Sequence, residues 1–133
     1  LQSLEDTIKV GNSLIADPAF TDRPFNWRAA FPTVFARGGF DVVIGNPPYV
    51  RMEFLKAVKP YLEERYVVAA ERADLYAYFF EKGVGLLKDG GRLGFISSST
   101  FFRTGSGENL RAFLTDRVAI ESVVDFGDLQ LFE

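Results

Sequence analysis

The run FDVVIG followed by NPPY, residues 40–49, sets the tightest limit on what this chain can fold into. Val42, Val43 and Ile44 are apolar almost without alternation, the pattern of a parallel strand buried on both faces. Pro47 and Pro48 fix two φ angles and remove two N–H donors, so the strand has to stop there. A parallel strand reaches its neighbour only through a long crossover, and the remaining sequence supplies the parts. The spacing predicts strands at IKVGNSLI (8–15), ending near Gly11-Asn12, at RLGFISS (92–98) and at IESVVDF (120–126). It predicts a helix over 73–91, capped by Asp74, with Leu75, Phe79, Gly83, Leu86 and Leu87 on one face and Gly90-Gly91 as a left-handed stop. A second amphipathic helix is expected over 107–118, with Leu110, Phe113, Leu114 and Val118 inward. RMEFLKAVKPYLEERY (51–66) reads as two short helical pieces, the second starting at Pro60, and Pro32 interrupts any long helix in the connector 17–39. Strands alternating with helices argue for an α/β fold, a mostly parallel sheet with flanking helices, in one domain over residues 1–133.

Composition restricts the chemistry. With no Cys there are no disulfides and no thiolate metal sites, and with no His there is no imidazole catalysis and no ordinary zinc site, so no metal is expected. Carboxylates, amides, hydroxyls, Lys, Arg and backbone groups remain. A net charge of −3 argues against non-specific nucleic-acid binding by the whole surface, while leaving room for a local basic patch. Fourteen Phe residues point to a core built on aromatic rings. No apolar run is long enough to cross a bilayer and no signal peptide opens the chain, so a cytoplasmic location without membrane contact is expected. The chain starts at Leu1 without an initiator Met and is read as a piece of a longer protein.

In open α/β sheets, ligands bind beyond the carboxyl ends of the strands, where Asn46 to Tyr49 would sit. The two prolines make this segment stiff and leave the Pro47 carbonyl as an acceptor. The Asn46 side-chain oxygen is a second acceptor and Tyr49 supplies a ring. Together they suit a planar ligand bearing an NH₂ group. Such an amine is a poor nucleophile because its lone pair is delocalised. Accepting both its hydrogens favours the charge that develops as it attacks, by positioning and preorganised electrostatics, without a His. A turn that merely ends a strand is the plainer reading of a Pro-Pro pair.

The four residues NPPY resemble the catalytic motif of amino-group methyltransferases that use S-adenosylmethionine. The wider blocks GGFDVVIGNPPYVR, ADLYAYFFEKGVGLLKDGGRLGFISSSTFFR, LRAFL and VVDFGDLQLF are similar to N6-adenine DNA methyltransferases, in particular the methylase portion of type IIG and IIS restriction–modification enzymes. The resemblance runs from about Ile8 to the end of the chain. It implies a partial Rossmann-like class I methyltransferase fold that transfers a methyl group to N6 of a flipped adenine in double-stranded DNA, as part of a restriction–modification or phage-defence system. Asn46 and the Pro47 carbonyl would accept from the amino group, Tyr49 would stack on the extruded base, and Pro48 would lie against the cofactor. Asn12, with Ser13 after it, matches the strand-end position that binds the cofactor's adenine ring, as an amide where relatives often carry Asp. The Gly-rich cofactor loop, the acidic ribose-binding residue and a target-recognition domain have no counterpart in these residues.

The resemblance also implies the strand order 3-2-1-4-5-7-6. Of the strands present, only 40–45 and 92–98 would then be natural neighbours. Either 120–126 pairs directly with 92–98, or copies of the chain associate through the open edge of 40–45 as a homo-oligomer. Arg51, Lys56, Lys59, Arg65 and Arg103 follow strand ends near the proposed pocket, with Arg51 and Arg103 the expected DNA contacts and solvated surface the alternative. Ser97 to Thr100 either line the base pocket or form a polar strand end. Gly105-Ser106-Gly107 reads as a helix-cap loop, Trp27 as packing and Asp74 as a cap. Two rival functions remain at this point. A protein-glutamine methyltransferase also presents NPPY to a planar amide, and a non-catalytic interaction module would keep the fold and bind no cofactor.

Overall fold

The computed structural model describes residues 4–50 and 56–127. Three short helices come first: α1 (Leu4–Thr7), α2 (Trp27–Ala30) and α3 (Pro32–Phe35). Strand β1 (Phe40–Gly45) follows, then α4 (Lys59–Arg65), α5 (Leu75–Leu86), β2 (Leu87–Phe95) and α6 (Glu108–Arg117). Two 3-10 turns, Ser99–Phe102 and Gly105–Gly107, lie between β2 and α6. The architecture is the expected α/β one, and β1 and β2 pair in parallel, with Val43 opposite Leu93 and Gly45 opposite Phe95. α5 is the crossover between them and packs against both strands. It comes so close to β2 that a Cβ on Gly83 would meet Leu93 Cδ1 at 2.9 Å.

The core lies on the helical side of this pair. Leu14, Ile15, Tyr61, Leu62, Tyr66, Tyr76, Tyr78, Phe101, Leu110 and Leu114 are buried together. A second set of rings runs from the connector onto β1, where Trp27 stacks on Phe31 at 5.9 Å and meets Phe40 edge-on at 6.0 Å. Trp27 is a packing residue, and its indole N–H donates to the Ser13 carbonyl at 3.0 Å. Pro32 splits the connector helix as expected: Phe31 closes α2 and opens α3.

Four sequence expectations change. The first is the strand at 8–15. In its place, among the described residues, there is one isolated bridge, Asn12 to Pro24, because the Asn12 side chain closes a tight turn where a ladder would have to run. The second is the helix over 73–91, which stops at Leu86. Leu87 turns extended (φ −75°, ψ 148°) and pairs with Phe40, so β2 begins five residues earlier than patterning suggests. Gly90 does take a positive φ of 74°, but inside an irregularity of the β1–β2 ladder. Third, 120–126 makes no ladder. Ile120, Val123 and Val124 are exposed, and the segment meets the sheet through the Arg92–Glu121 ion pair at 3.6 Å. A strand is a property of a pair, and an apolar run without a hydrogen-bonding neighbour stays irregular. Fourth, β1 is not buried on both faces, since Val42 and Ile44 are 56% and 80% exposed. α5 packs on β1, and the connector rings reach it at Phe40. The first helical piece of 51–66 lies largely outside the described residues, whereas α4 carries its proline in the first turn as expected.

Candidate functional site at the end of the parallel pair

β1 and β2 end side by side, with Gly45 opposite Phe95. The Ile96 N–H donates to the Gly45 carbonyl at 3.1 Å, extending the ladder by one bond. The next four residues, Asn46 to Tyr49, leave the sheet at its carboxyl end. Pro47 is buried and acts as a wedge, while Asn46, Pro48 and Tyr49 are exposed. The far end of the segment is tied down as well, because the Leu75 N–H at the start of α5 donates to the Val50 carbonyl at 2.9 Å. Thus the rigid dipeptide is held between a strand end and a helix start, and its polar groups face outward.

The hydroxyl of Tyr49 lies 3.2 Å from Asn46 Oδ1 and 3.4 Å from the Ile96 carbonyl. It has one hydrogen to share between two acceptors. Asn46 therefore presents its amide with a single partner that a ligand can displace. Among the described residues no donor reaches the Pro47 carbonyl. Two acceptors and a ring, half-exposed at 51%, stand at one strand end.

Asn12 is used differently. Its Oδ1 accepts from the N–H groups of Leu14 at 3.1 Å and Ile15 at 3.2 Å, and its Nδ2 donates to Thr21 Oγ1 at 3.5 Å. The Ser13 carbonyl is taken by Trp27. Among the described residues no hydrogen bond or ring contact joins this turn to Asn46–Tyr49. A cavity of about 400 Å³ beside Asn12 is walled by Val10, Thr21, Asp22 and Arg23. A larger one, about 600 Å³, lies among Trp27, Arg28, Arg65, Tyr66, Lys82 and Arg117, and none of Asn46–Tyr49 lines it. Arg28, Arg65 and Lys82 rest there on the faces of Phe35, Tyr61 and Tyr66. Arg65 and Arg117 sit in last helical turns, where a cation complements the free carbonyls, so ring contacts and helix ends account for this charge.

Arg51 lies outside the described residues. Arg103 is exposed, on the turn that follows β2. Lys59 pairs with Glu63 at 3.4 Å along α4. The serines at the end of β2 serve the backbone: Ser98 Oγ accepts from the Thr100 N–H at 3.2 Å and caps the 3-10 turn. Gly105–Gly107 forms the turn that leads into α6, as expected of a cap loop. Asp74 occupies the N-cap position of α5 with extended dihedrals, yet its side chain makes no capping bond. Among the exposed rings that the sequence did not single out is Phe102, 46% exposed beside the buried Phe101. The doublet carried a usable signal, since two successive residues on a tight turn cannot both face the core.

Comparison with known proteins follows the same residues. The sequence matches the Eco57I restriction-modification methylase family over residues 1–132. It is 31% identical over 144 aligned positions to the type II restriction enzyme and methyltransferase RM.Eco57I of Escherichia coli, covering 100% of this chain and 14% of that protein. It is 41% identical to the type II methyltransferase M.BstVI of Geobacillus stearothermophilus over 71% of this chain and 17% of that protein. With the type II methyltransferase M.HincII of Haemophilus influenzae the identity is 31%, over 97% of this chain and 27% of the relative. The chain thus spans between about a seventh and a quarter of the length of these relatives.

Proposed function

The chain belongs to the Eco57I restriction-modification methylase family, and from that premise we propose that it supplies the amine-holding part of a DNA methyltransferase acting on N6 of adenine in double-stranded DNA. The methyl donor in this proposal is S-adenosylmethionine. The parallel β1–β2 pair with its crossover helix is consistent with a partial class I methyltransferase fold. The observation that carries the reading is the placement of Asn46–Tyr49. Two hydrogen-bond acceptors and one aromatic ring stand at the carboxyl end of a parallel pair, on a segment stiffened by two prolines.

The chemistry follows from these groups. An adenine amino group has two hydrogens, and Asn46 Oδ1 and the Pro47 carbonyl accept one each. The Tyr49 hydroxyl yields Asn46 Oδ1 as the amino group arrives and retains the Ile96 carbonyl as its own acceptor. Both acceptors strengthen as positive charge develops on the nitrogen, which places their effect in the transition state. The Tyr49 ring covers the face of the base, which must leave the duplex to reach this depth. When bound, the donor supplies an electrophilic methyl group.

The residues meant to hold that donor fit it only in part. Pro48 offers an exposed apolar ring. Asn12 Oδ1 already accepts two bonds inside its own turn and the Ser13 carbonyl accepts one from Trp27, so the Asn12 amide oxygen is not free to grip an adenine edge. No step is assigned to them. Arg103 is proposed as a phosphate contact, and Arg51, by its position after Tyr49, as another.

Asn46→Ala in the intact methylase tests the reading. Transfer of labelled methyl groups to adenine in a duplex should fall by a factor of about 10² or more, as for loss of one transition-state donor or acceptor, with little change in affinity for the donor. Transfer at near wild-type rate, or transfer to a glutamine peptide in preference to DNA, would sink it.

A further inference from the structure

Phe102 is a ring that neither the core nor the amine-holding motif uses. It is 46% exposed, and its inner face stacks on Phe101 with centroids 4.2 Å apart and planes at 28°. Phe101 is buried and runs on into the α5 rings, 6.1 Å from Tyr76 and 5.9 Å from Phe80. The exposed ring is therefore the outermost plate of a stack anchored in the core.

Its turn is held as firmly as its ring. Arg111 of α6 donates through Nη1 to the carbonyls of Phe101 and Thr104, the latter at 2.8 Å. Thr104 Oγ1 donates to the Thr100 carbonyl at 3.1 Å, and Ser98 caps the turn from the other side. Gly107 packs so tightly on the Phe101 backbone that any side chain there would overlap it. Few degrees of freedom remain to be lost when something lands on Phe102, which is what a preorganised contact requires.

The turn leaves β2 at the same end of the sheet as Asn46–Tyr49. Ile96 is bonded to Gly45, its carbonyl is within reach of the Tyr49 hydroxyl, and Phe102 follows six residues later. Its immediate neighbours Ser99, Thr100 and Arg103 are exposed and polar, and Arg103 makes no ion pair among the described residues. A flat apolar plate with polar neighbours, next to a guanidinium without an ion pair among the described residues, matches a nucleotide better than the apolar face of a protein. The base takes the ring and its phosphate takes the cation.

We propose that the outer face of Phe102 is a stacking platform for a base of the DNA strand, with Arg103 on the adjoining phosphate. The proposal rests on the DNA reading above and adds a contact separate from the amine-holding residues. Binding of a fluorescently labelled oligonucleotide, single-stranded and duplex, to this chain tests it by anisotropy. The wild-type chain should bind saturably. Phe102→Ala and Phe102→Leu should each weaken binding about tenfold or more, as loss of one stacked base does. Phe102→Trp should retain affinity, with emission of the introduced indole quenched by the oligonucleotide. Circular dichroism of each variant establishes that the fold is kept. Wild-type affinity in Phe102→Ala overturns the platform, and so does an absence of saturable binding by the wild-type chain. If Arg103→Gln alone weakens binding, DNA contact stands and stacking fails. The Asn46→Ala methyl-transfer assay does not depend on this ring, so failure of the platform and failure of the methylase reading are separately visible.

Discussion

Asn12 and Asn46 each follow a glycine, and each was expected at the end of a strand. The two amides are put to opposite uses. Asn12 folds back on its own backbone, accepting from Leu14 and Ile15 and donating to Thr21, so that its oxygen holds a turn together. Asn46 is followed by two prolines that have no N–H to offer, and its oxygen faces a single hydroxyl from Tyr49. An asparagine near free backbone N–H groups will cap them. One followed by Pro-Pro has no N–H at the next two residues to cap, and the oxygen of Asn46 meets the Tyr49 hydroxyl instead. The prolines thus preserve the acceptor as well as stiffening the segment.

Exchanging each amide for alanine tests the contrast most sharply. Asn46→Ala should cost about 10² in methyl transfer by the intact methylase and leave the unfolding midpoint of the chain nearly unchanged. A large loss of stability in that variant would mean that Asn46, too, is structural.

The Asn12 turn is also tied to the core from outside, since the Tyr66 hydroxyl donates to the Leu14 carbonyl at 2.8 Å. Burial, with the nearby Tyr61 and Glu81, pushes the Tyr66 hydroxyl well above its usual range. Burial also pushes Tyr76 and Tyr78 up to about 12. These groups stay protonated in the folded chain at pH values where the unfolded chain has already ionised them. Their contribution to stability is therefore complete below pH about 10 and is lost as pH rises from there through 12. Alkaline unfolding followed by circular dichroism should show stability level up to about pH 9 and falling above 10. A stability that rises across that range would contradict the buried placement of the three rings.

Asn12→Ala comes next in size. Removing a side chain that satisfies two backbone N–H groups should destabilise the chain by about 1 kcal/mol, as loss of a cap does, read from the urea midpoint. If the variant matches wild type in stability and loses affinity for the donor, Asn12 serves the ligand after all and the contrast breaks. The smallest effect belongs to Tyr49→Phe in the intact methylase. It keeps the ring and removes the hydroxyl that waits on Asn46, so methyl transfer should change by only a few-fold, and the unfolding midpoint should stay within about 0.5 kcal/mol of wild type. A hundredfold loss would show that the hydroxyl takes part in the chemistry.

Much of the site could be read from the amino-acid order because its determinants are local. Two prolines terminate a strand wherever they occur, and the residues beside them inherit an exposed, stiff position; Asn46, Pro48 and Tyr49 are found in it. Helix α6 and the split at Pro32 were legible for the same reason, since periodicity and a missing N–H act within a few residues. The length of α5 was not legible. Leu87 to Gly91 suit a helix end in isolation, and only the presence of Phe40 alongside draws them into the sheet. The strands expected at 8–15 and 120–126 carry the right residues, but strand propensity is realised by a hydrogen-bonded ladder; the first segment reaches a single bridge, Asn12 to Pro24, and the second makes no ladder among the described residues. The expected use of Asn12 failed for a related reason: sequence places an amide near a strand end and cannot say which backbone donors the chain will fold beneath it.

By itself, then, the sequence determined the α/β class, the stop at Asn46-Pro47-Pro48-Tyr49 and the chemistry those four residues can offer. Proline geometry and apolar spacing are properties of the covalent chain. The tertiary structure decided which helix residues became strand, that Tyr49 reaches across to Ile96, that Phe101 is buried and Phe102 is presented, and that Asn12 is spent on its own turn. Each of these depends on which groups, distant or adjacent, compete for the same hydrogen bond or the same buried space. That competition is settled only when the parts are packed together.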